Sequence, residues 1–321
     1  MEDKVINTAI ENLRNTIPSA QVTLIESKIG EGFWSFEIND GLVNGSGASS
    51  NTQIAFNKAL SEFVERHAVK TYSGQLGTKT SSGFAAHLDE KSAHEASIGE
   101  LIERDAFLAC WFAKVPPAWL NFDQLSFDTS TSEILSTILG SGIRIKFGFL
   151  AKSGNYTIAA GMISFAEYTN QKAAYGFVTE ADTTVAGALS KVAFSLFRIA
   201  NLVITRKTRN VDLFEEITAD KIKHPYHHLE YYLNPQNISS IEEWWESKSS
   251  QVLEIEESTM HSQLLSHPLA DSMGRKVSYT KSSRLLNYFC GTTVEVESIK
   301  NRLHSLGLNL KQNPEIPHPL S

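Results

Sequence analysis

The fold is decided by residues 97–106, which read Ser-Ile-Gly-Glu-Leu-Ile-Glu-Arg-Asp-Ala. Residues 59–68 read Ala-Leu-Ser-Glu-Phe-Val-Glu-Arg-His-Ala, so two glutamates, an arginine and the last alanine recur at one offset. Such a repeat indicates a duplicated structural unit. Each copy follows a pair with capping-box spacing, Ser50 with Gln53 and Ser92 with Glu95. The sequence therefore predicts two related helices that begin near these serines.

The charged residues of each copy share one face of the predicted helix, because residues three and four apart are neighbours. One interpretation is a solvated face, since Glu and Arg at this spacing stabilise surface helices by about 0.2–0.5 kcal/mol per pair. The first copy contributes Glu62, Glu65 and Arg66, and the second contributes Glu100, Glu103 and Arg104.

The second copy favours a buried helix instead. Phe107 and Trp111 lie within about 20° of the glutamate face, and Leu101 and Ile102 lie on the opposite side. A helix that is apolar on nearly every side is buried, and its carboxylates are then buried with it. Buried carboxylates need compensating cations, and two arginines cannot neutralise four glutamates. Because Mg²⁺ combines a few carboxylates with phosphate, the paired helices predict a Mg–nucleotide site.

Composition narrows the class of protein. The 321 residues include 36 Asp and Glu against 29 Lys and Arg, and this acidic balance argues against nucleic-acid binding. Two cysteines, Cys110 and Cys290, are too few for a disulfide scaffold or a multi-cysteine zinc site. The N-terminus lacks signal-peptide character, and no uninterrupted apolar run approaches about 20 residues. We therefore expect a cytoplasmic protein without a membrane partner.

Hydrophobic periodicity predicts a mixed α/β (α+β) chain that forms a single domain over residues 1–321. The tail, residues 313–321, contains three prolines and cannot be helical. A histidine group at 224, 227 and 228 favours a packed helix surface over a metal site. The predicted helices are 3–17, 50–74, 92–114, 182–204 and 296–306; the predicted strands lie within 22–38 (broken at 30–32), 143–151, 156–164 and 277–279.

These residues resemble the YcaO family, whose members bind ATP and Mg²⁺ through glutamates of repeated helices. Gly45-Ser-Gly47 followed by Glu62-Phe-Val-Glu-Arg66 is similar to the first block of the family. Ser82-Gly-Phe-Ala-Ala-His87 followed by Glu100-Leu-Ile-Glu-Arg-Asp-Ala106 is similar to its second block. The ending Pro317-His-Pro-Leu-Ser321 resembles the Pro-rich C-terminus of the family. The resemblance implies a YcaO-like fold with repeated strand–helix units around a nucleotide site.

The resemblance also implies roles for individual residues. It places Mg²⁺ on Glu62, Glu65, Glu100 and Glu103, the phosphates of ATP on Arg66, Arg104, Arg198 and Lys58, and the catalytic base at the tail, on Ser321 with Pro319 before it.

The chain departs from the family pattern in three places. Lys58 stands where a serine is usual, and Ser195 stands where a third block usually has a glutamate. One magnesium or nucleotide contact is then either missing or supplied differently. The spacing of the tail prolines also differs from that of azoline-forming members, and a frayed tail remains an alternative to a catalytic one.

The activity that the resemblance implies is phosphorylation of a backbone amide oxygen. The leading hypothesis is an ATP-dependent cyclodehydratase that converts Cys, Ser or Thr of a ribosomally made precursor peptide into thiazolines or oxazolines. Formation of a thioamide or an amidine is an alternative, and a non-catalytic subunit that binds nucleotide or a partner is another.

The resemblance also suggests partner proteins. The chain is too short for a fused partner domain, so a separate E1-like or winged-helix protein would recognise the leader of the precursor peptide. A flavin-dependent dehydrogenase is left open as a further partner. The expected assembly is a homodimer or a hetero-complex.

Overall fold

The computed structural model describes residues 2–26, 33–78, 80–165, 174–208, 217–248, 251–256, 260–292 and 295–320. The chain divides into two compact units, unit 1 (Met1–Leu101 with Thr259–Ser283) and unit 2 (Ile102–Ser258 with Arg284–Ser321). The single-domain organisation expected from the sequence stays a prediction.

The described helices are α1 (Glu2–Thr16), α2 (Thr52–Leu76), α3 (Glu90–Ala113), α4 (Thr129–Gly140), α5 (Val185–Thr208), α6 (Pro225–Leu233), α7 (Ser239–Glu246), α8 (Pro268–Ser272) and α9 (Val296–Ser305). The described strands are β1 (Gln21–Glu26), β2 (Trp34–Asn39), β3 (Asn44–Ser49), β4 (Phe84–His87), β5 (Ala118–Trp119), β6 (Arg144–Ser153), β7 (Tyr156–Ser164), β8 (Tyr175–Asp182), β9 (Leu253–Glu254), β10 (His261–Leu265) and β11 (Lys276–Lys281). The division between the units falls within α3.

The described strands form three sheets that are almost entirely antiparallel. Unit 1 contains β1-β2-β3 and β10-β11-β4. Unit 2 contains β5-β6-β7-β8, with β9 added parallel to β6. Because antiparallel sheets are combined here with separate helices, the fold belongs to the α+β class, which confirms that part of the sequence prediction.

Two glycines allow β3 to lie directly on α2. A Cβ atom at Gly45 would come within 2.3 Å of the Phe63 backbone nitrogen, and one at Gly47 would come equally close to backbone atoms of Ala55 and Ala59. Only residues without a side chain fit such a close approach. The Gly-rich stretch is therefore a strand of unit 1, which its composition did not predict.

Helix α5 is long and apolar enough to span a membrane by length and composition alone. Most of this apolar stretch is buried, however, and α5 packs against β7 and β8. Gly161 of β7 makes room for it, because a Cβ atom there would meet the Val192 and Leu196 side chains. The apolar surface of α5 is thus used in the core of unit 2.

The structure corrects both helix starts that we predicted from capping boxes. Asn51 rather than Ser50 caps α2, because its side chain accepts a hydrogen bond from the Ile54 backbone nitrogen. Asp89 rather than Ser92 lies at the start of α3, where its carboxylate accepts from the Ser92 backbone nitrogen and hydroxyl. In both cases a neighbouring Asx side chain competes successfully for the free N–H groups of the first turn.

Candidate functional site

The first group of predicted residues lies in unit 1, around Glu62. One carboxylate oxygen of Glu62 accepts hydrogen bonds from the backbone nitrogen of Ser46 (2.8 Å) and from its hydroxyl (3.1 Å). The other oxygen accepts from Nη2 of Arg66 at 2.8 Å. The close packing of β3 on α2 brings the Ser46 backbone within reach of this glutamate. Glu62 is therefore fixed between a strand and the next turn of its own helix.

Arg66 lies in the field of three predicted metal ligands. Burial by itself lowers the pKa of the Arg66 guanidinium, but the carboxylates of Glu62, Glu65 and Glu100 outweigh this effect, and the pKa is raised. Lys58, one turn before Glu62, donates from Nζ to the backbone oxygen of Ala48 at 3.3 Å. Unit 1 thus combines three partly exposed glutamates with two cations.

The second group lies in unit 2, around Glu103. This side chain belongs to a residue that is only 6% exposed. Its oxygens accept from the Thr179 hydroxyl at 2.8 Å and from the Ala181 backbone nitrogen at 3.2 Å. Nη1 of Arg104 lies 3.4 Å from Oε1 of Glu103. The Glu103 carboxylate is buried, as the sequence predicted, and strand β8 provides the hydrogen bonds that make this burial possible. The same prediction was wrong for Glu100, which is partly exposed.

The other phosphate-binding candidates of unit 2 have different surroundings. The Arg104 guanidinium stacks over the Tyr288 ring, with its central carbon 5.1 Å from the ring centroid. Arg198 is exposed on α5, three residues beyond Ser195. The Ser195 hydroxyl donates to Oε1 of Glu180 at 2.5 Å. The structure therefore brings Ser195 to a carboxylate that the sequence analysis had not considered.

The Pro-rich tail is buried from Pro317 to Leu320, whereas Asn313 and Glu315 are exposed. His318 stacks on His228 with ring centroids 4.1 Å apart, and Nδ1 of His228 lies 2.6 Å from the His318 backbone oxygen. The Tyr232 hydroxyl donates to the Pro317 backbone oxygen, and Leu320 forms a parallel bridge with Phe177 of β8.

This anchoring rules out a frayed end through residue 320 and places Pro319 in a buried segment. The predicted base, Ser321, lies outside the described residues.

Sequence reasoning missed several residues that complete these groups. Ser46 and Thr179 are hydroxyl donors on strands. Ser46 lies in the Gly45-Ser-Gly47 stretch that resembles the first block of the family, but no role was predicted for it, and nothing in the local sequence distinguishes Thr179 from other strand residues. Asp105 lies within the repeat and no role was predicted for it, although it is fully buried and forms a salt bridge with Arg302 at 2.6 Å. Its place in the middle of an apolar helix was the signal that it needs a buried cation.

The donor sets of both groups fit Mg²⁺ and a phosphate. All predicted metal ligands are carboxylates, which hard divalent cations prefer, and each group carries an arginine suited to phosphate oxygens. Among the described residues, no three His, Cys, Asp or Glu side chains form a ready metal site.

Solved structures share this fold. The YcaO from Methanopyrus kandleri bound with AMPPCP and Mg²⁺ matches 92% of this chain and 95% of its own, with a TM-score of 0.57 and 12% identity. A chain of the E. coli microcin synthetase McbBCD complex gives 0.56 over 81% of this chain and 86% of its own, also at 12% identity. A heterocyclase in complex with substrate and cofactor gives 0.63 over 98% of this chain and 57% of its own, at 10% identity.

No protein-family profile matches the chain, and no curated protein matches it. At identities of 10–12% the likeness to solved structures establishes the fold. The chain therefore has the α+β fold of YcaO structures, as the sequence resemblance predicted.

Proposed function

We propose that this chain is a YcaO-type, ATP- and Mg²⁺-dependent cyclodehydratase that acts in the cytoplasm. Its substrate would be a ribosomally made precursor peptide in which Cys, Ser or Thr residues become thiazolines or oxazolines. The observation that carries the proposal is Glu103, a buried carboxylate in a repeated helix that β8 holds in place. A solved structure of the same fold is a YcaO bound with AMPPCP and Mg²⁺.

Some residues of the chain would bind the metal ion and others would bind the phosphates. Bound ATP would supply the phosphoryl group that makes an amide oxygen a good leaving group, and Mg²⁺ would neutralise the phosphate charge. Glu62, Glu65 and Glu100 in unit 1 and Glu103 in unit 2 are the candidate Mg²⁺ ligands. Arg66 and Arg104 would bind phosphate oxygens, since a guanidinium offers paired donors that match them.

The remaining contributions come from the tail and from partners. Ser321, which lies outside the described residues, would act as the base; the segment before it is anchored in unit 2 through His318 and Leu320. The E. coli synthetase is a complex, and one of its structures has pro-MccB17 bound. By analogy we propose a precursor peptide and a separate E1-like or winged-helix recognition protein as partners of this chain.

Mass spectrometry of the precursor peptide tests this proposal. Co-expression with the precursor and the partner encoded beside it should remove one water mass per modified residue. Fragmentation should place each loss at a Cys, Ser or Thr and its preceding carbonyl. A gain equal to the difference between sulfur and oxygen would instead indicate a thioamide, and a water loss at an amine linkage would indicate an amidine; either result contradicts azoline formation.

A non-catalytic subunit is the second candidate function, and Ser195 and Lys58 favour it because both replace residues usual in the family. This function predicts nucleotide or partner binding without phosphate release. Release of ADP and phosphate that depends on the precursor would exclude it.

A further inference from the structure

Three strand–helix pairs of this chain share one pattern of buried residues. Each of the helices α2, α3 and α5 has one position that is flanked in the same way. A fully buried alanine lies seven residues before this position, and a buried apolar residue lies directly after it. This burial aligns the three helices in a single register, independently of their sequence identity. The alanines are Ala55, Ala93 and Ala188; the later residues are Phe63, Leu101 and Leu196; the positions between them are Glu62, Glu100 and Ser195.

The third strand–helix pair, β8 with α5, therefore lacks a carboxylate at this helix position. This pair has a carboxylate on its strand instead, that of Glu180 on β8. The Ser195 hydroxyl donates a hydrogen bond to it at 2.5 Å. In the first strand–helix pair, β3 with α2, the arrangement is the reverse. There the hydroxyl belongs to Ser46 on strand β3, and it donates to Glu62 on the helix at 3.1 Å. The serine and the glutamate have exchanged places between strand and helix.

Glu180 is suited to present an oxygen ligand. Its backbone is fixed by pairing of β8 with β7, where Glu180 lies opposite Ala159. The two residues after Glu180 are also held in place, because Nζ of Lys191 on α5 contacts Asp182 at 2.8 Å and the Ala181 backbone oxygen at 3.0 Å. The Glu180 residue remains partly exposed.

We propose that Glu180 supplies the carboxylate of the third strand–helix unit to the Mg²⁺–nucleotide complex, and that Ser195 is its positioning residue. This inference rests on the proposed function and adds a binding residue to it. The replacement of a helix glutamate by Ser195 is then an exchange of position, which preserves the carboxylate, and it is no argument for a non-catalytic subunit.

Four variants test the exchange by their Mg²⁺ requirement for binding AMPPCP, measured by calorimetry at a series of Mg²⁺ concentrations. Glu180→Gln should raise the Mg²⁺ concentration for half-maximal binding about tenfold or more, and Ser195→Ala should raise it by about tenfold. The double variant Glu180→Ser with Ser195→Glu recreates the arrangement of the first strand–helix pair. Its Mg²⁺ concentration for half-maximal binding should return to within about threefold of the wild-type value. Glu230→Gln, at a partly buried glutamate paired with Arg206, is the matched control and should bind as the wild type does.

The outcomes separate the inference from the function on which it rests. Wild-type binding that Glu180→Gln leaves unchanged overturns the role of Glu180 while the proposed function stands. Weak binding by both Glu180→Gln and the double variant, with normal circular dichroism and thermal unfolding, overturns the exchange of positions. Absence of Mg²⁺-dependent binding by the wild type overturns the proposed function and the inference together.

Discussion

At the scale of single residues, two buried carboxylates of α3 are compensated by different kinds of partner. Asp105 is paired with Arg302 through three hydrogen bonds and accepts another from the Leu286 backbone nitrogen. Burial raises the pKa of Asp105, and Arg302 opposes that effect. Glu103 accepts hydrogen bonds from the Thr179 hydroxyl and the Ala181 backbone nitrogen and lies 3.4 Å from Arg104. Asp105 is thus neutralised by a buried arginine, whereas strand β8 supplies the hydrogen bonds to Glu103.

We predict that Arg302→Met strongly destabilises the protein. Removing one member of a buried ion pair leaves the other charge without compensation, which costs about 3–5 kcal/mol. The urea midpoint of unfolding should fall accordingly. Asp105→Asn combined with Arg302→Met should recover part of the loss, and an unchanged midpoint for Arg302→Met alone would refute the assignment of this pair.

The sequence predicted the charged residues of α2 and α3 but could not identify their partners. Repeated spacing reveals which side chains share a helix face, because the helix period is fixed. Ser46, Thr179 and Arg302 reach Glu62, Glu103 and Asp105 through the tertiary fold, from 16 to 197 positions away. Local patterns carry no information on such contacts, and for the same reason the sequence alone did not predict a role for Glu180.

At the scale of elements, the packing of β3 on α2 decides whether Ser46 can reach Glu62. We predict that Gly47→Ala lowers the free energy of unfolding by about 1–3 kcal/mol, since the added Cβ would overlap backbone atoms of α2. Thermal unfolding measures the effect. Gly74→Ala is the matched control in α2, because no atom lies near its added Cβ and alanine stabilises a helix by up to about 1 kcal/mol relative to glycine.

Equal effects of the two substitutions would contradict this account of β3.

Most long elements were predictable from hydrophobic periodicity. The predicted helix 296–306 is observed as Val296–Ser305, and the predicted strand 156–164 is observed unchanged as Tyr156–Ser164. Two of the strands that were not predicted contain residues of low strand propensity: β3 consists of Asn, Gly, Ser and Ala, and β4 contains two alanines. They form because α2 and neighbouring strands cover them. Tertiary packing overrode local preference there.

At the scale of the whole molecule, the buried histidines make stability sensitive to acid. Burial lowers the pKa of His228 to about 4 and lowers the pKa of His318 well below its ordinary value. Electrostatic interaction with His227 adds to the lowering of the His228 pKa, and interactions with His228 and Arg104 add to the lowering of the His318 pKa. Between pH 6.5 and about 4 the unfolded chain therefore binds protons that the folded chain does not.

We predict that the free energy of unfolding falls as the pH is lowered through this window, by at most about 1.4 kcal/mol per pH unit for each such histidine. Urea unfolding at several pH values measures the slope. His318→Phe should make the slope shallower, whereas the control His304→Gln, at an exposed position, should retain it. A slope that is the same in His318→Phe and the wild type would contradict burial of a neutral His318.

The most direct test of the account is calorimetric titration of the chain with AMPPCP, with Mg²⁺ and with a chelator, for the wild type and Glu103→Gln. The account predicts that the wild type binds the nucleotide only when Mg²⁺ is present. It predicts that Glu103→Gln, which preserves the shape of the side chain, remains folded but binds about tenfold or more weakly. Binding by the wild type that does not depend on Mg²⁺, or that Glu103→Gln leaves unchanged, would contradict the central claim that the repeated glutamates form a Mg²⁺–nucleotide site.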